Sequence, residues 1–133
     1  MSAVMSSPAA DVRMSIDERS VDELDAAIGR LVRQMNADSY RMLVLVREFD
    51  DRFGWKKWSF KSSAEWLAWR SSICLSAARE KVRSAHALRA LPAISAAFAD
   101  GRLSYSKVRA LTRVAHACDE DLLLAYALDA TVP

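Results

Sequence analysis

The chain of 133 residues has the length of one domain and can bury one sizeable core. Its composition of 52% hydrophobic and 27% charged residues is globular, which excludes a disordered chain. The net charge of +2 is unevenly distributed, because residues 1–40 carry −3, residues 41–118 carry +9 and residues 119–133 carry −4. The basic middle segment favours an anionic partner, although an Arg-rich solvated surface gives the same pattern.

The residue types point to helices. Only 3 glycines and 3 prolines interrupt the chain, good helix formers dominate, and runs rich in Val, Ile and Thr are scarce. We therefore predict an all-α fold, with a long N-terminal helix followed by a bundle of short helices. No apolar run approaches the roughly 20 residues of a membrane span, and no signal-peptide pattern opens the chain. We expect a cytoplasmic protein that does not contact membranes.

The first helix is predicted from a capping box and a long apolar stripe. Residues 1–19 have the composition of a loose tail, and residues 20–133 that of a single helical domain, whose end at Pro133 we interpret as a truncation. Ser20 and Glu23 match the capping box. A seven-residue rhythm predicts one helix, or two collinear helices, over residues 21–53, with Gly54 as its C-terminal stop. The stripe consists of Leu24, Ile28, Leu31, Met35, Met42, Val46, Phe49 and Phe53. A stripe of this length needs a partner, either the rest of the domain or the same helix of a second chain.

An aromatic and basic segment follows over residues 55–61. Interleaved Trp and Lys can bind nucleic acid through stacking and charge. The alternative is that the rings fill the junction between helices. We favour the second interpretation, because Trp66 and Trp69 follow at helical spacing and extend the same aromatic cluster.

Five short helices complete the predicted fold, over residues 64–70, 77–90, 93–100, 105–117 and 120–129. Ser62 or Ser63 caps the first, and Ser76 the second. Pro92 occupies the first turn of the third, which Gly101 ends. Ser104 and Asp119 cap the last two.

The first two short helices and their connection resemble a helix-turn-helix. In the second of them, an apolar stripe suits docking on the domain: Ala78, Val82, Ala85 and Leu88. At 100° per residue, Arg79, Arg83 and His86 share one flank, and Glu80 and Ala87 lie opposite the stripe. Arg79 and Arg83 are one turn apart and within reach of phosphates or guanine edges.

A second basic segment begins at Gly101 and leads into a helix. Hydroxyl groups and amides at a helix start suit phosphate binding, and simple capping by Ser104 explains the same residues. The segment carries Arg102, Lys107, Arg109 and Arg113. From both segments, we predict DNA contacts from six residues: Arg79, Lys81, Arg83, Arg102, Lys107 and Arg109.

The sequence contains no motif typical of a catalytic site. His86 and His116 are the only histidines and lack metal-ligand spacing. Cys74 and Cys118 lack a CxxC partner, so we expect two reduced thiols that behave as small, buried hydrophobic residues. We predict no catalytic residue, no metal and no cofactor, and no enzymatic activity in this chain.

Long motifs give the chain a family resemblance. They are SxAEWLxW at 62–69, AAREKVRSAHAL at 77–88, ALP at 90–92 and AFADGRLSYSKVRALTRVA at 97–115. These segments resemble the domain of unknown function 222, or 13E12 repeat family, over roughly residues 20–130. Members are mostly bacterial, and the domain typically precedes an HNH endonuclease domain. A weaker likeness links the run from ALP to KVRAL with the DNA-binding part of ParB-like partition proteins.

The resemblance implies a biological role but assigns no catalytic residue to this chain. No HNH motif is present here, so the nuclease activity cannot be carried over to any residue; a longer parent chain is where it would belong. Two functions therefore stay open at this point. One is a DNA-binding module that targets an HNH-endonuclease-associated protein to duplex DNA. The other is a helical interaction or homodimerisation domain that does not bind nucleic acid and pairs through its first helix.

Overall fold

A computed structural model of the chain describes residues 16–129, and all regular elements within them are helical. The predicted all-α fold is confirmed. The α-helices are α1 (Val21–Asp51), α2 (Ser63–Ser71), α3 (Leu75–Ala87), α4 (Pro92–Ala99), α5 (Tyr105–Val114) and α6 (Glu120–Asp129). The chain divides into two compact units, Met1–Val32 and Arg33–Pro133. The predicted tail over residues 1–19 lies outside the described residues, apart from its last few, of which Ile16–Glu18 form a 3-10 turn.

The start of α1 follows the capping box. The Ser20 hydroxyl accepts a hydrogen bond from the Glu23 amide at 3.1 Å, and a Glu23 carboxylate oxygen accepts one from the Ser20 amide at 3.2 Å. Two amides that the helix leaves without a partner are thereby satisfied. Of the two predicted alternatives, one long helix and two collinear helices, the structure has one continuous helix.

Gly54 does not end α1, contrary to the prediction. The helix ends at Asp51, and it is Phe53 that adopts the left-handed conformation, with φ of 54°. Gly54 opens a 3-10 turn, Gly54–Trp58. A Cβ on Gly54 would lie 2.6 Å from the Phe49 ring, so this glycine permits a close approach of backbone and ring.

The connection between α2 and α3 is short and starts at a left-handed residue. Of the two predicted candidates, Ser62 and Ser63, it is Ser62 that caps α2, accepting a hydrogen bond from the Glu65 amide at 3.1 Å. After α2, Ser72 has φ of 55°. The prediction that Ser76 caps α3 is wrong, because α3 starts at Leu75 with Cys74 in the cap position and no side-chain cap. Ser76 therefore lies inside the first turn.

The last three helices follow the predicted signals closely. Pro92 is the first residue of α4, and Gly101 follows that helix with φ of 82°. Ser104 caps α5 through the Lys107 amide, and Asp119 accepts hydrogen bonds from two amides at the start of α6. The predicted ends of α3 and α5 extend too far, because each helix continues as a 3-10 turn, Leu88–Ala90 and Ala115–Ala117.

Two clusters of buried side chains form the core of the second unit. The larger surrounds Phe98 and joins α1 to α4, α5 and α6. The smaller joins α1 to α2 and α3 through Val46, Leu67 and Ala78. Neither cluster counts a tryptophan among its buried residues, so the prediction that the tryptophans fill the junction between helices is only partly right. Trp66 packs against the smaller cluster, whereas Trp58 and Trp69 are exposed.

Candidate nucleic-acid interface

Helix α3 has one fully buried side and one narrow exposed side. Ala78, Ala85 and Leu88 are buried and Val82 is half-buried, which confirms the predicted apolar stripe. The buried side packs against α2 and α5. Arg79 lies on the exposed side, and within residues 16–129 its guanidinium has no hydrogen-bond or ion-pair partner.

The carboxylate of Glu80 forms ion pairs with several neighbouring arginines. Glu80 binds Arg83 on its own helix, with Nε to Oε2 at 2.9 Å, because residues three apart lie side by side on a helix. Two arginines of α5 reach the same carboxylate: Arg113 at 2.5 Å and Arg109 at 3.6 Å. Three guanidiniums from two helices therefore share one negative charge.

The electrostatics of this cluster follow from its charge ratio. The hydrogen bond from Arg83 is the main cause that lowers the pKa of Glu80 to about 2, with the hydrogen bond from Arg113 acting in the same direction. Glu80 is therefore ionised at neutral pH and compensates one of the three positive charges. The cluster keeps a net charge of +2.

Arg83 is the best-anchored member of the cluster. Its Nη2 also approaches the Thr112 hydroxyl at 3.2 Å and the Arg109 carbonyl oxygen at 3.3 Å. These contacts join α3 to α5 and orient the guanidinium. We call the group formed by Arg83, Arg109 and Arg113 around Glu80, together with Arg79 one turn before Arg83, the arginine face.

The structure brings three of the six predicted DNA-contact residues to this face, namely Arg79, Arg83 and Arg109. Lys81 is directed toward Tyr105 of α5, with its Nζ 3.9 Å from the centroid of that ring. Burial lowers the pKa of Lys81 and raises that of Tyr105, because both groups lose hydration of their charged forms.

The other two predicted residues have partners away from the face. Lys107 donates a hydrogen bond from Nζ to the Ala127 carbonyl oxygen of α6 at 2.9 Å. Arg102 pairs with Asp100, Nε to Oδ2 at 3.1 Å. Their spacing along the sequence is right for one basic surface, but α5 directs Lys107 to the opposite side from Arg109.

His86 also differs from the flank predicted for it. Its Nε2 lies 2.6 Å from an Asp50 carboxylate oxygen, which ties α3 to α1. The next turn repeats this link, where Arg89 pairs with Asp51. His86 thus joins two helices and is not part of the arginine face.

Sequence reasoning missed two components of the face. Glu80 was recognised only by its position opposite the apolar stripe, and Arg113 only as part of a basic helix. The available signals were the i, i+3 spacing of Glu80 and Arg83 and the i, i+4 spacing of Arg109 and Arg113. The contact between the two pairs spans about thirty residues of sequence and is visible only in the fold.

The cysteines and the acidic groups of the described part of the chain form no metal site. Both Cys74 and Cys118 are exposed, so the expectation that they are buried is wrong. No group of three or more His, Cys, Asp or Glu side chains between residues 16 and 129 is arranged to hold a metal ion. In the same residues, no helix combines the length and hydropathy needed to span a membrane.

Comparison with protein-family models decides the family. The model described as "Domain of unknown function (DUF222)" matches residues 19–131, which is most of the chain. The chain belongs to the DUF222 family. The resemblance drawn from the sequence motifs is thereby confirmed, and the match includes both helices of the arginine face. No curated protein and no solved structure matches this DUF222 domain.

Proposed function

We propose that this DUF222 domain is a DNA-binding module, the targeting part of an HNH-endonuclease-associated protein, and is not catalytic by itself. The observation that carries the proposal is the arginine face, where three arginines of two helices bind one carboxylate and the exposed Arg79 has no partner among residues 16–129. Such a face retains excess positive charge, and DNA phosphates are suitable counterions for it.

The exposure of α3 favours phosphate contacts over the reading of base edges. A recognition helix presents a whole exposed flank to the major groove. On α3, only Ser76 and Arg79 are fully exposed, and the other residues are buried or half-buried. We therefore propose that α2 and α3, as a helix-turn-helix-like unit, hold the arginine face against the phosphate backbone. Arg79 is exposed and has no competing partner in the part of the chain that the structure describes.

The test is duplex binding measured at several salt concentrations. Each phosphate contact contributes roughly 0.9 to the slope of log K against log salt. We expect Arg79→Ala and Arg109→Ala each to weaken binding of a labelled duplex in fluorescence anisotropy and to lower that slope by roughly 0.9. Lys107→Ala is expected to have a smaller effect, because Lys107 is engaged by α6.

Arg52→Ala is the matched control. It removes the same charge from an exposed arginine that pairs with Glu48 at 2.8 Å, outside the arginine face. Equal effects of Arg79→Ala and Arg52→Ala would show that only total charge matters, and the assigned face would be wrong. If the unmodified chain shows no salt-dependent duplex binding, the proposed DNA-binding function is refuted.

The second candidate function is self-association through the first helix. Its supporting observation is an apolar stripe in the unit Met1–Val32, where Ile28 and Leu31 are 59% and 56% exposed and Val21 is 81% exposed. Spacings of seven and three residues place these side chains on one helix face, as in helices that pair. A homodimer is the simplest assembly to cover them.

Sedimentation of the purified chain over a wide concentration range tests this candidate. Ile28→Glu places a charge in the stripe, and we expect it to shift a dimer to a monomer. Ala26→Glu is the control, because Ala26 is exposed on the opposite side of the same helix. A monomer at every concentration for the unmodified chain would exclude the candidate.

A further inference from the structure

A concave site separate from the arginine face lies between the 3-10 turn Gly54–Trp58 and helix α2. It is lined by Trp58, Trp66, Trp69 and Arg70 and has a volume of about 310 Å³. We call it the tryptophan pocket. Trp66, Trp69 and Arg70 share one face of α2 because they are three and four residues apart. The volume is at the lower end of the range for small-ligand sites.

Aromatic neighbours hold the rings of the pocket in place. Trp66 stacks on Phe49 with ring centroids 4.0 Å apart, and Trp58 lies 6.4 Å from Trp66. Trp69 contacts Phe60 at 5.6 Å. Left-handed residues on both sides of the 3-10 turn, Phe53 and Ser59, fix the approach of Trp58. The rings are therefore preorganised, which reduces the entropy lost when a ligand binds.

The indoles of the pocket are unusually accessible for their size. Trp58 is 50% exposed and Trp69 is 61% exposed. Burying an aromatic side chain contributes strongly to stability, so large rings exposed side by side often mark an interaction site. The rings offer flat apolar surface to a flat ligand.

The charge around the pocket is positive. Arg70 is exposed, and among residues 16–129 its guanidinium has no hydrogen-bond or ion-pair partner. The exposed Lys57 lies with its Nζ 5.4 Å from the centroid of the Trp58 ring. No carboxylate belongs to the lining residues that the structure describes. A ligand that suits the pocket combines a π face with a negative charge.

We propose that the tryptophan pocket binds one unstacked nucleotide of a single-stranded nucleic acid. The base stacks on the exposed indoles, and the Arg70 guanidinium binds the adjoining phosphate. A quaternary ammonium ligand also binds aromatic cages, but Arg70 and Lys57 repel a cation. The proposal goes beyond duplex binding by the arginine face, and either can fail without the other.

Quenching of tryptophan fluorescence by a short oligo(dT) tests the proposal. A stacked base contributes about 1–3 kcal/mol, so we expect Trp69→Ala to weaken oligo(dT) binding roughly 5- to 150-fold. Arg70→Ala should weaken it as well, and both side chains are exposed enough for the variants to fold. Trp55→Phe is the matched control, because Trp55 does not line the pocket. An oligonucleotide of equal length without bases should quench little, since it has phosphates and no π face.

Three results would overturn the proposal. The first is unchanged fluorescence of the unmodified chain on addition of oligo(dT). The second is equal binding of oligo(dT) by Trp69→Ala and Trp55→Phe. The third is that Trp69→Ala converts a dimer to a monomer in sedimentation while oligo(dT) has no effect, in which case a second copy covers the pocket. Arg79→Ala serves as the internal reference, because it should weaken duplex binding and leave oligo(dT) quenching unchanged.

Discussion

Two carboxylates of the second unit each bind arginines, but they differ in depth and in what they hold together. Glu80 is 19% exposed and binds three guanidiniums from two helices. Asp100 is 53% exposed and binds two, those of Arg33 and Arg102. Removing one partner of an ion pair costs more as its groups leave water, because the opposite charge is left uncompensated. From this difference we predict that Glu80 positions its arginines. The ion pairs of Asp100, in contrast, contribute little to a contact with α1 that other groups make.

Backbone packing is that other contact at Asp100. Gly101 is buried, has φ of 82°, and comes so close to α1 that a Cβ would lie 2.4 Å from the Arg33 carbonyl oxygen. Asn36 adds a hydrogen bond from Nδ2 to the Gly101 carbonyl oxygen at 3.1 Å. The position of Arg33 beside Asp100 follows from this contact. The arginines around Glu80 are therefore positioned by charge, whereas Arg33 is positioned beside Asp100 by the backbone packing of Gly101.

The largest expected effect comes from removing that glycine. Gly101→Ala combines a left-handed backbone with a steric clash against backbone, and we expect it to lower the free energy of unfolding by more than about 2 kcal/mol. Urea denaturation measures the change. Gly29→Ala is the control, since nothing lies within 4 Å of a Cβ there, and it should raise the free energy of unfolding by up to about 1 kcal/mol. Equal behaviour of the two variants would refute the role assigned to Gly101.

The next effect separates the two carboxylates. Glu80→Gln removes the only negative charge among three guanidiniums, so we expect a clear fall in Tm at neutral pH. Asp100→Asn is the matched change at an exposed pair and should cost at most about 1 kcal/mol. Thermal unfolding followed by circular dichroism measures both. An equal or larger fall for Asp100→Asn would contradict the difference drawn between the two groups.

The smallest effect is the pH dependence of the Glu80 contribution. The pKa of Glu80 falls from 4.5 to about 2 on folding, so its stabilisation is complete above pH 4.5 and is lost as the pH falls toward about 2. The Tm difference between the unmodified chain and Glu80→Gln should therefore shrink over this interval. A difference that stays constant down to the acid end would mean that the carboxylate charge is not what orders the arginines.

Local signals in the sequence predicted much of the fold. Ser20, Ser104 and Asp119 were identified as caps, and the cap of α2 was narrowed to Ser62 or Ser63, because a cap depends on a side chain and an amide within three residues of each other. The cap of α3 was missed because Cys74 occupies the cap position without a side-chain capping hydrogen bond, so no residue type marks it. The continuation of α3 and α5 as 3-10 turns likewise has no distinct residue pattern.

The candidate sites depend on contacts that sequence spacing cannot give. The motif around residue 80 and the motif around residue 110 were both recognised as basic, but their junction at Glu80 needs the packing of α3 on α5. Spacing alone also placed Lys107 with Arg109, whereas α5 turns them to different neighbours. The tryptophans were assigned to the helix junction because large rings usually lie inside. Trp58 of the 3-10 turn and Trp69 of α2 instead lie at the surface.

The exposed thiol of Cys74 at the start of α3 offers a chemical reporter close to the arginine face. The hydrogen bond with Ser76 is the main cause that lowers the pKa of Cys74, which increases the thiolate fraction at neutral pH and with it the rate of alkylation. Cys74 is the cap residue before α3 and lies about 1.4 turns before Arg79. A nucleic acid that covers the face would shield this thiol, so its alkylation rate is a built-in reporter of occupancy.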